Sequence, residues 1–278
     1  MFGIALGIDL KDFKKLRANP KSALAGVLSQ FLILPALTYF IVLILNPHPA
    51  IGLGMILVAA CPGGNISNFI SSISGANVSL SVGLTAVATL LTPIFTPINF
   101  DVWARLTPAT GDLLQTFSLS FTQIFKTVLL VLVIPLILGM LCKVKLPSLT
   151  TLVQKPIRIA SILILFGFIG FALAKNFEAF KMYLGIVFFI VLLHNSLAFT
   201  AGYLIGAIFK IPAADKRSIS IETGIQNSGL GLIIIFTFFQ GNGGMALVAA
   251  WWGIWHIVAG LALSQVFRRL DKSRLQTS

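Results

Sequence analysis

The sequence predicts an all-α integral membrane fold built as an inverted repeat. Three observations carry that expectation: very low charge, apolar runs of bilayer length, and a matched pair of interruptions within them. Of the 278 residues, 57% are hydrophobic and 10% are charged, against about 25% charged in a soluble domain. That leaves too little polar surface to wrap a water-soluble core. The net charge of +12 first suggests a nucleic-acid partner, but the basic residues sit in short gaps between apolar runs rather than on one face. Nucleic acid is excluded as the main partner, and the lipid bilayer takes its place. Cys61 and Cys142 form no CxxC and no zinc spacing, so metal-thiolate and redox chemistry are excluded as well.

A helix needs about 20 apolar residues to cross about 30 Å of hydrocarbon. Eight runs, each bounded by charge, Pro or Gly, meet that length. In order they are Ser22 to Leu45, Ile51 to Ile73, Val78 to Ile98, Phe117 to Leu141, Ile157 to Ala174, Met182 to Phe209, Ser218 to Phe239 and Gly244 to Phe267. The opening stretch, Met1 to Leu10, is apolar but about half the length of a crossing, and it lacks the features of a signal peptide. It reads as the end of a helix.

Eight crossings place alternate gaps on opposite sides of the membrane. One side collects Lys11, Lys14, Lys15, Arg17, Lys21, Lys143, Lys145, Lys155, Arg158, Lys210, Lys216, Arg217, Arg268, Arg269, Lys272 and Arg274. The other holds Arg105, Lys175 and Lys181, with Lys126 inside a span, near enough to that side to snorkel outward. The positive-inside rule makes the richer side, and with it the C-terminus, cytoplasmic in a multi-pass protein of the cell (inner) membrane.

Two runs are broken near their middles, at 61–68 (Cys-Pro-Gly-Gly-Asn-Ile-Ser-Asn) and at 222–229 (Glu-Thr-Gly-Ile-Gln-Asn-Ser-Gly). Pro removes a donor and Gly weakens a helix, while Ser67-Asn68 and Asn227-Ser228 are residues able to cap a fresh start. Unwound backbone at membrane depth survives only inside protein or beside a water-filled cavity. Each break lies in the middle run of three, and the two are five crossings apart, so the triplets face opposite ways. Matched interruptions in inverted halves are the sequence mark of a secondary transporter with its binding site near the midplane. By the same symmetry a five-span second half starting at Phe117 asks for a five-span first half. The expected parent therefore has ten helices, and this chain is expected to lack the first and most of the second.

With these residues in view, the sequence resembles the bile acid:sodium symporters, including bacterial members. The motifs that carry the likeness are Met1-Phe2-Gly3-Ile4-Ala5-Leu6, Gln30-Phe31 with Pro35, Pro62-Gly63-Gly64-x-x-Ser67-Asn68, Leu192-Leu193-His194-Asn195, Glu222-x-Gly224-x-Gln226-Asn227-Ser228-Gly229-Leu230, and Trp255-His256. The resemblance implies a panel domain and a core domain, the core holding two crossed discontinuous helices, and sodium-driven uptake of an organic anion by alternating access. On that frame residues 1–20 are a panel remnant and loop, 21–98 the first core repeat, 99–175 a loop and panel helices, 176–267 the second core repeat and 268–278 a cytoplasmic tail.

Glu222 is the only acidic residue inside any of the eight runs. Intramembrane acids mark ion pathways, and sodium asks for oxygen ligands. The competing reading is an interfacial carboxylate, since only about 7.5 Å of helix rise separates Glu222 from Arg217. Ser81 and Thr85, four apart, share one helix face, and either hydroxyl could instead bond back to a helical carbonyl. The resemblance implies one Na+ site from Ser67, Asn68, Ser81, Thr85 and Glu222. It implies a second from Gln30, Glu222, Gln226 and the backbone carbonyls of Thr223 and Ile225.

New helical starts beyond each break point N–H groups and positive dipole ends into the crossing, which suits an anionic substrate. No Lys or Arg lies in either break. An organic carboxylate or sulfonate, bile-acid-like or small, would be held by Asn65, Asn227, backbone amides and His256. For His256, packing beside Trp252 and Trp255 is an equal alternative, and His194-Asn195 read as a structural hydrogen-bonding pair in the place roughly matching Gln30. Several bacterial relatives carry Asn after the histidine where this chain has Ile257, which removes a possible ligand contact. No GxSxG, HExxH or paired aspartates position a nucleophile or water, so an enzyme is not expected. Within transport, a proton-coupled or uncoupled carrier is the alternative to sodium symport.

Overall fold

A computed structural model of the chain describes residues 6, 16, 19–115 and 121–276, with side chains given for all of these except 65, 121, 132, 158, 162, 165, 179 and 271–276. The expected helix remnant at Met1 to Leu10 lies, Leu6 apart, outside the described residues. All regular structure among the described residues is helical. The helices are α1 (Pro20–Leu45), α2 (Pro49–Ala60), α3 (Asn65–Ser72), α4 (Val78–Leu106), α5 (Pro108–Gln115), α6 (Thr122–Lys145), α7 (Pro147–Lys175), α8 (Phe177–Ile208), α9 (Ala213–Gly224), α10 (Ser228–Phe238) and α11 (Gly243–Gln276). Among the described residues, seven stretches are long and apolar enough to cross a membrane, with α9 and α10 together forming one of them. The expected run Ile51 to Ile73 is instead divided into α2 and α3. The chain is a multi-pass helical membrane protein.

Both breaks are narrower than the sequence suggested. The first unwinds only residues 61–64 and the second only 225–227. The helix at the first break begins at Asn65 with Gly64 as its cap, so Ser67 and Asn68 lie inside α3 and do not cap it. At the second break Asn227 is the cap, its side chain accepting from the N–H of Leu230 at 3.0 Å.

Charge ends a bilayer crossing, but it does not end a helix. α7 therefore begins at Pro147 and runs through Lys155 and Pro156, and α4 continues past Ile98 and Pro97 to Leu106. The expected tail at 268–278 is helical through Gln276, because its Arg, Lys, Leu and Gln residues favour helix and no Gly or Pro interrupts them.

Two helices carry a π turn just before a proline. Pro35 has no N–H for the carbonyl of Phe31, and the ladder widens: Leu34 N–H donates to Ser29, five residues back. The same arrangement precedes Pro135, where Ile134 N–H reaches Leu129. In α1 this turn buries Ser29, Gln30 and Phe31 together, three consecutive residues that a regular helix would spread around its circumference.

The broken helices lie at the centre. Every residue of α2 from Ala50 to Ala60 is buried, which is how an all-apolar helix of 12 residues is accommodated. In the α9–α10 stretch 78% of the apolar window is buried against 13% in α7, so α7 takes the periphery. α2 packs on α11, while α9 packs chiefly on α8 and also on α4. Of the second halves, α10 lies on α11, and α3 lies on α4, α9 and α11.

Candidate functional site

An interrupted helix must find new partners for the carbonyls it strands. At the first break, Ala60 O accepts the hydroxyl of Thr96 at 2.6 Å and Cys61 O accepts the N–H of Asn227 at 3.0 Å. At the second, Asn227 N–H and Ser228 N–H have turned away, to Cys61 and Gln226. The Thr223 carbonyl therefore takes the Gln226 side-chain N–H at 2.8 Å, and the Gly224 carbonyl takes the Asn195 side-chain N–H at 2.6 Å.

The two breaks touch. A Cβ built on Gly63 would fall on the carbonyl oxygen of Ile225 and within 3.3 Å of the Glu222 carbonyl. Only glycine permits that approach.

Glu222 sits at this contact, fully buried. Its side chain is enclosed by protein rather than exposed at a surface. The Ser81 hydroxyl lies 2.5 Å from Oε1, the Thr85 hydroxyl 3.1 and 3.2 Å from the two carboxylate oxygens, and Gln30 Nε2 3.4 Å from Oε2. Asn68 Oδ1 lies 2.9 Å from Ser81 and 3.2 Å from Thr85. Ser67 approaches Thr85 at 3.5 Å but donates to Gly64 O at 2.6 Å.

Counting protons characterises this cluster. Ser81 and Thr85 bring one proton each, yet three acceptors converge on them: both Glu222 oxygens and Asn68 Oδ1. The Ser71 hydroxyl adds a donor to Ser81 at 3.1 Å. With Glu222 ionised, the set is rich in oxygen, poor in protons and carries one negative charge, a donor set suited to a hard monovalent cation.

Beside it, Gln30 Oε1 and Gln226 Oε1 are buried acceptors with no hydrogen-bond partner among the described residues. Both side chains also reach the Glu222 neighbourhood, Gln30 through its amide and Gln226 through Thr223 O and, at 3.5 Å, Glu222 O. The residues expected at two ion sites, Gln30, Ser67, Asn68, Ser81, Thr85, Glu222, Thr223, Ile225 and Gln226, are thus brought together around one carboxylate.

The residues expected at a substrate site are less gathered. The side chain of Asn65 lies outside those described. The Oδ1 of Asn227 is engaged in capping α10. His256 is 1% exposed, and neither ring nitrogen has a hydrogen-bond partner among the described residues. It shares a helical face with Gly253, which abuts Ser228, and Gly260, which abuts Ile225 and Ile70. That face of α11 looks onto the second break.

Several contributors were not singled out from the sequence. The hydroxyl of Ser29 lies 2.7 Å from that of Thr223, and Thr223 donates to Ile219 O, which leaves Ser29 as the donor between them. Adjacency to Gln30 was the available signal. Asp215 is a second buried carboxylate, receiving Ser22 at 2.5 Å and Asn77 at 2.8 Å. Arg217, assigned above to a loop, is buried, donating to the Ser74 and Gly75 carbonyls and lying 5.2 Å from the Phe267 ring centroid. The pair His194-Asn195 does bond structurally, His194 to Thr38 at 2.7 Å and Asn195 to Gly224.

Residues 1–182 match the family model described as the sodium bile acid symporter family. Over 274 residues the chain is 27% identical to an "uncharacterized sodium-dependent transporter YocS" of Bacillus subtilis (strain 168), covering 99% of this chain and 82% of that protein. It is 32% identical over 280 residues to a "probable sodium/metabolite cotransporter BASS1, chloroplastic" of Arabidopsis thaliana, covering 99% of this chain and 66% of that one. Similarity extends to the P3 protein of Homo sapiens, 30% identical over 231 residues, of which the chain spans 47%.

Proposed function

The chain belongs to the sodium bile acid symporter family, and from that premise we propose that it is a secondary active transporter coupling inward sodium movement to uptake of a small organic anion by alternating access. The names of the bacterial and plant relatives, a sodium-dependent transporter and a sodium/metabolite cotransporter, support the ion. The observation that carries the reading is the buried Glu222 carboxylate, ringed by Ser81, Thr85 and Gln30 where two unwound helices touch. A carboxylate so placed is costly to keep ionised and uncompensated, and a bound cation offsets that cost.

Two sodium ions are assigned, one to Ser67, Asn68, Ser81, Thr85 and Glu222, and one to Gln30, Glu222, Gln226 and the carbonyls of Thr223 and Ile225. Sharing Glu222 couples them. The first core repeat (21–98) and the second (176–267) form the moving unit against the panel helices in 99–175. The anion is a carboxylate or sulfonate met by the starts of α3 and α10, with Asn65, Asn227 and His256 as side-chain contacts. The C-terminus is cytoplasmic in an inner membrane.

Uptake of a panel of carboxylates and sulfonates into proteoliposomes, driven by an inward sodium gradient and repeated with choline, tests the reading. Accumulation of at least one anion is expected with sodium and not with choline, and is abolished in Glu222→Ala. Equal accumulation in choline, or wild-type rates in the variant, overturns it in favour of a proton-coupled or uncoupled carrier.

A further inference from the structure

The carbonyls of Glu222, Thr223 and Gly224 lose their helical donors where α9 stops. Thr223 and, at 3.5 Å, Glu222 are met by the Gln226 side chain from within the same break, and the Ile225 carbonyl just beyond faces Gly63. Gly224 alone is held by a side chain of another helix, Asn195 of α8, at 2.6 Å with both groups buried. The orientation of that amide is dictated, since its oxygen turned toward Gly224 O would set two acceptors face to face. With the nitrogen so engaged, Asn195 Oδ1 is buried and has no partner among the described residues, in company with Gln30 Oε1 and Gln226 Oε1.

α8 presents more than this one group. Phe199 and Gly202, four and seven residues on and so on the same face, abut Gly224 and Thr223. The Phe199 carbonyl also accepts the Ser220 hydroxyl at 2.7 Å. The close fit makes α8 a template for the end of α9.

We propose that Asn195 is a positioning residue for the second cation site: by holding the Gly224 carbonyl it seats the end of α9 on α8, and so places the Ile225 carbonyl and the Gln226 side chain, which follow directly, toward the ion. The Ile225 N–H still closes the α9 ladder onto Ile221 O at 2.9 Å, but beyond it the backbone turns extended, φ −105° and ψ 104°, and the Ile225 carbonyl has left the helix. Without the Asn195 bond the buried Gly224 carbonyl is left unpaired, the end of α9 shifts to find a donor, and the oxygens lose their convergence. The inference rests on the sodium reading above.

The test uses the purified full chain in detergent, with sodium chloride itself as the probe. Unfolding temperature is followed as sodium replaces choline at constant ionic strength, for wild type, Asn195→Ala, Asn195→Ser and Glu222→Gln. Wild type is expected to be stabilised by sodium with a Hill slope above one, and Glu222→Gln to show no response. In Asn195→Ala the sodium midpoint rises about tenfold, as loss of one buried hydrogen bond entails, and the slope falls to one as the first site titrates alone. Should that variant yield no folded protein, Asn195→Ser, too short to span the same distance, is read by the same two quantities. An equal drop of unfolding temperature in sodium and choline, with midpoint and slope as in wild type, overturns the positioning role while leaving the sodium reading intact. Absence of any sodium response in wild type overturns both.

Discussion

The backbone N–H of Asn227 donates to the carbonyl of Cys61 at 3.0 Å, joining the two unwound stretches main chain to main chain. Side chains then need only complete a polar centre that the backbone has already assembled.

This closeness makes Gly63 and Gly64 unequal. A methyl group at Gly63 collides with the Ile225 carbonyl, whereas one at Gly64 meets nothing within 4 Å. Gly63→Ala is expected to lose sodium-driven uptake by at least tenfold and to cost about 1–3 kcal/mol of stability, the usual scale of overpacking. Gly64→Ala should retain most of both. Parallel uptake and thermal unfolding measurements decide it, and equal effects would deny that the breaks are in contact.

On the sodium reading, the hydroxyls beside Glu222 are ion ligands. Ser81→Ala and Thr85→Val are each expected to raise the sodium midpoint about tenfold, roughly 1.4 kcal/mol. Thr85→Ser, which keeps the oxygen, should remain near wild type. Titrating sodium against thermal stability measures this, and unchanged midpoints in both deletions would remove the hydroxyls from the site.

A separate polar knot ties the repeats together. Asp215 accepts from Ser22 of α1 and from Asn77, which also caps α4 and donates its backbone N–H to Ala214 O. Ser22→Ala leaves a buried carboxylate short of a donor and is expected to destabilise by about 1.5–3 kcal/mol. Because Ser22 itself bonds only Asp215 and neither Glu222 nor its hydroxyl partners, the sodium midpoint should not move. Thermal melts with and without sodium separate the two effects.

Thr96 satisfies the carbonyl of Ala60, the last residue of α2, at 2.6 Å. Thr96→Val preserves shape and removes the donor, leaving that buried carbonyl unpaired at a cost of about 1–3 kcal/mol. Serine at the same position should restore most of the loss in a melting experiment.

Much of this centre was legible in the sequence because its signals are local. Pro62-Gly63-Gly64 and Gly224 mark helix failure by backbone chemistry alone, and Glu222 stands out as a lone acid in an apolar run. Other parts depend on pairings over long sequence distances. Nothing near Thr96 or Ser22 announces that Ala60 or Asp215 is its partner, and Arg217 resembles a loop cation until Phe267 and the end of α3 are folded around it. The extent of each break was overread for the same reason: Ser67 and Asn68 are good caps, but Gly64 stops earlier because its backbone already suits the role. Charge likewise misplaced the ends of α7 and α11, since it reports where hydrocarbon stops and not where the helical ladder does.

Contacts between helices far apart in sequence impose an order on biogenesis. Ser81 precedes its carboxylate partner by 141 residues, and α2 waits for α11, the last of the described helices, to cover it. During synthesis the leading triplet enters lipid with stranded hydroxyls and carbonyls, and it becomes a finished object only when the trailing triplet inserts beside it. Ribosomal release before α9 therefore yields a fragment that quality-control proteases should recognise, whatever the intrinsic helicity of its parts.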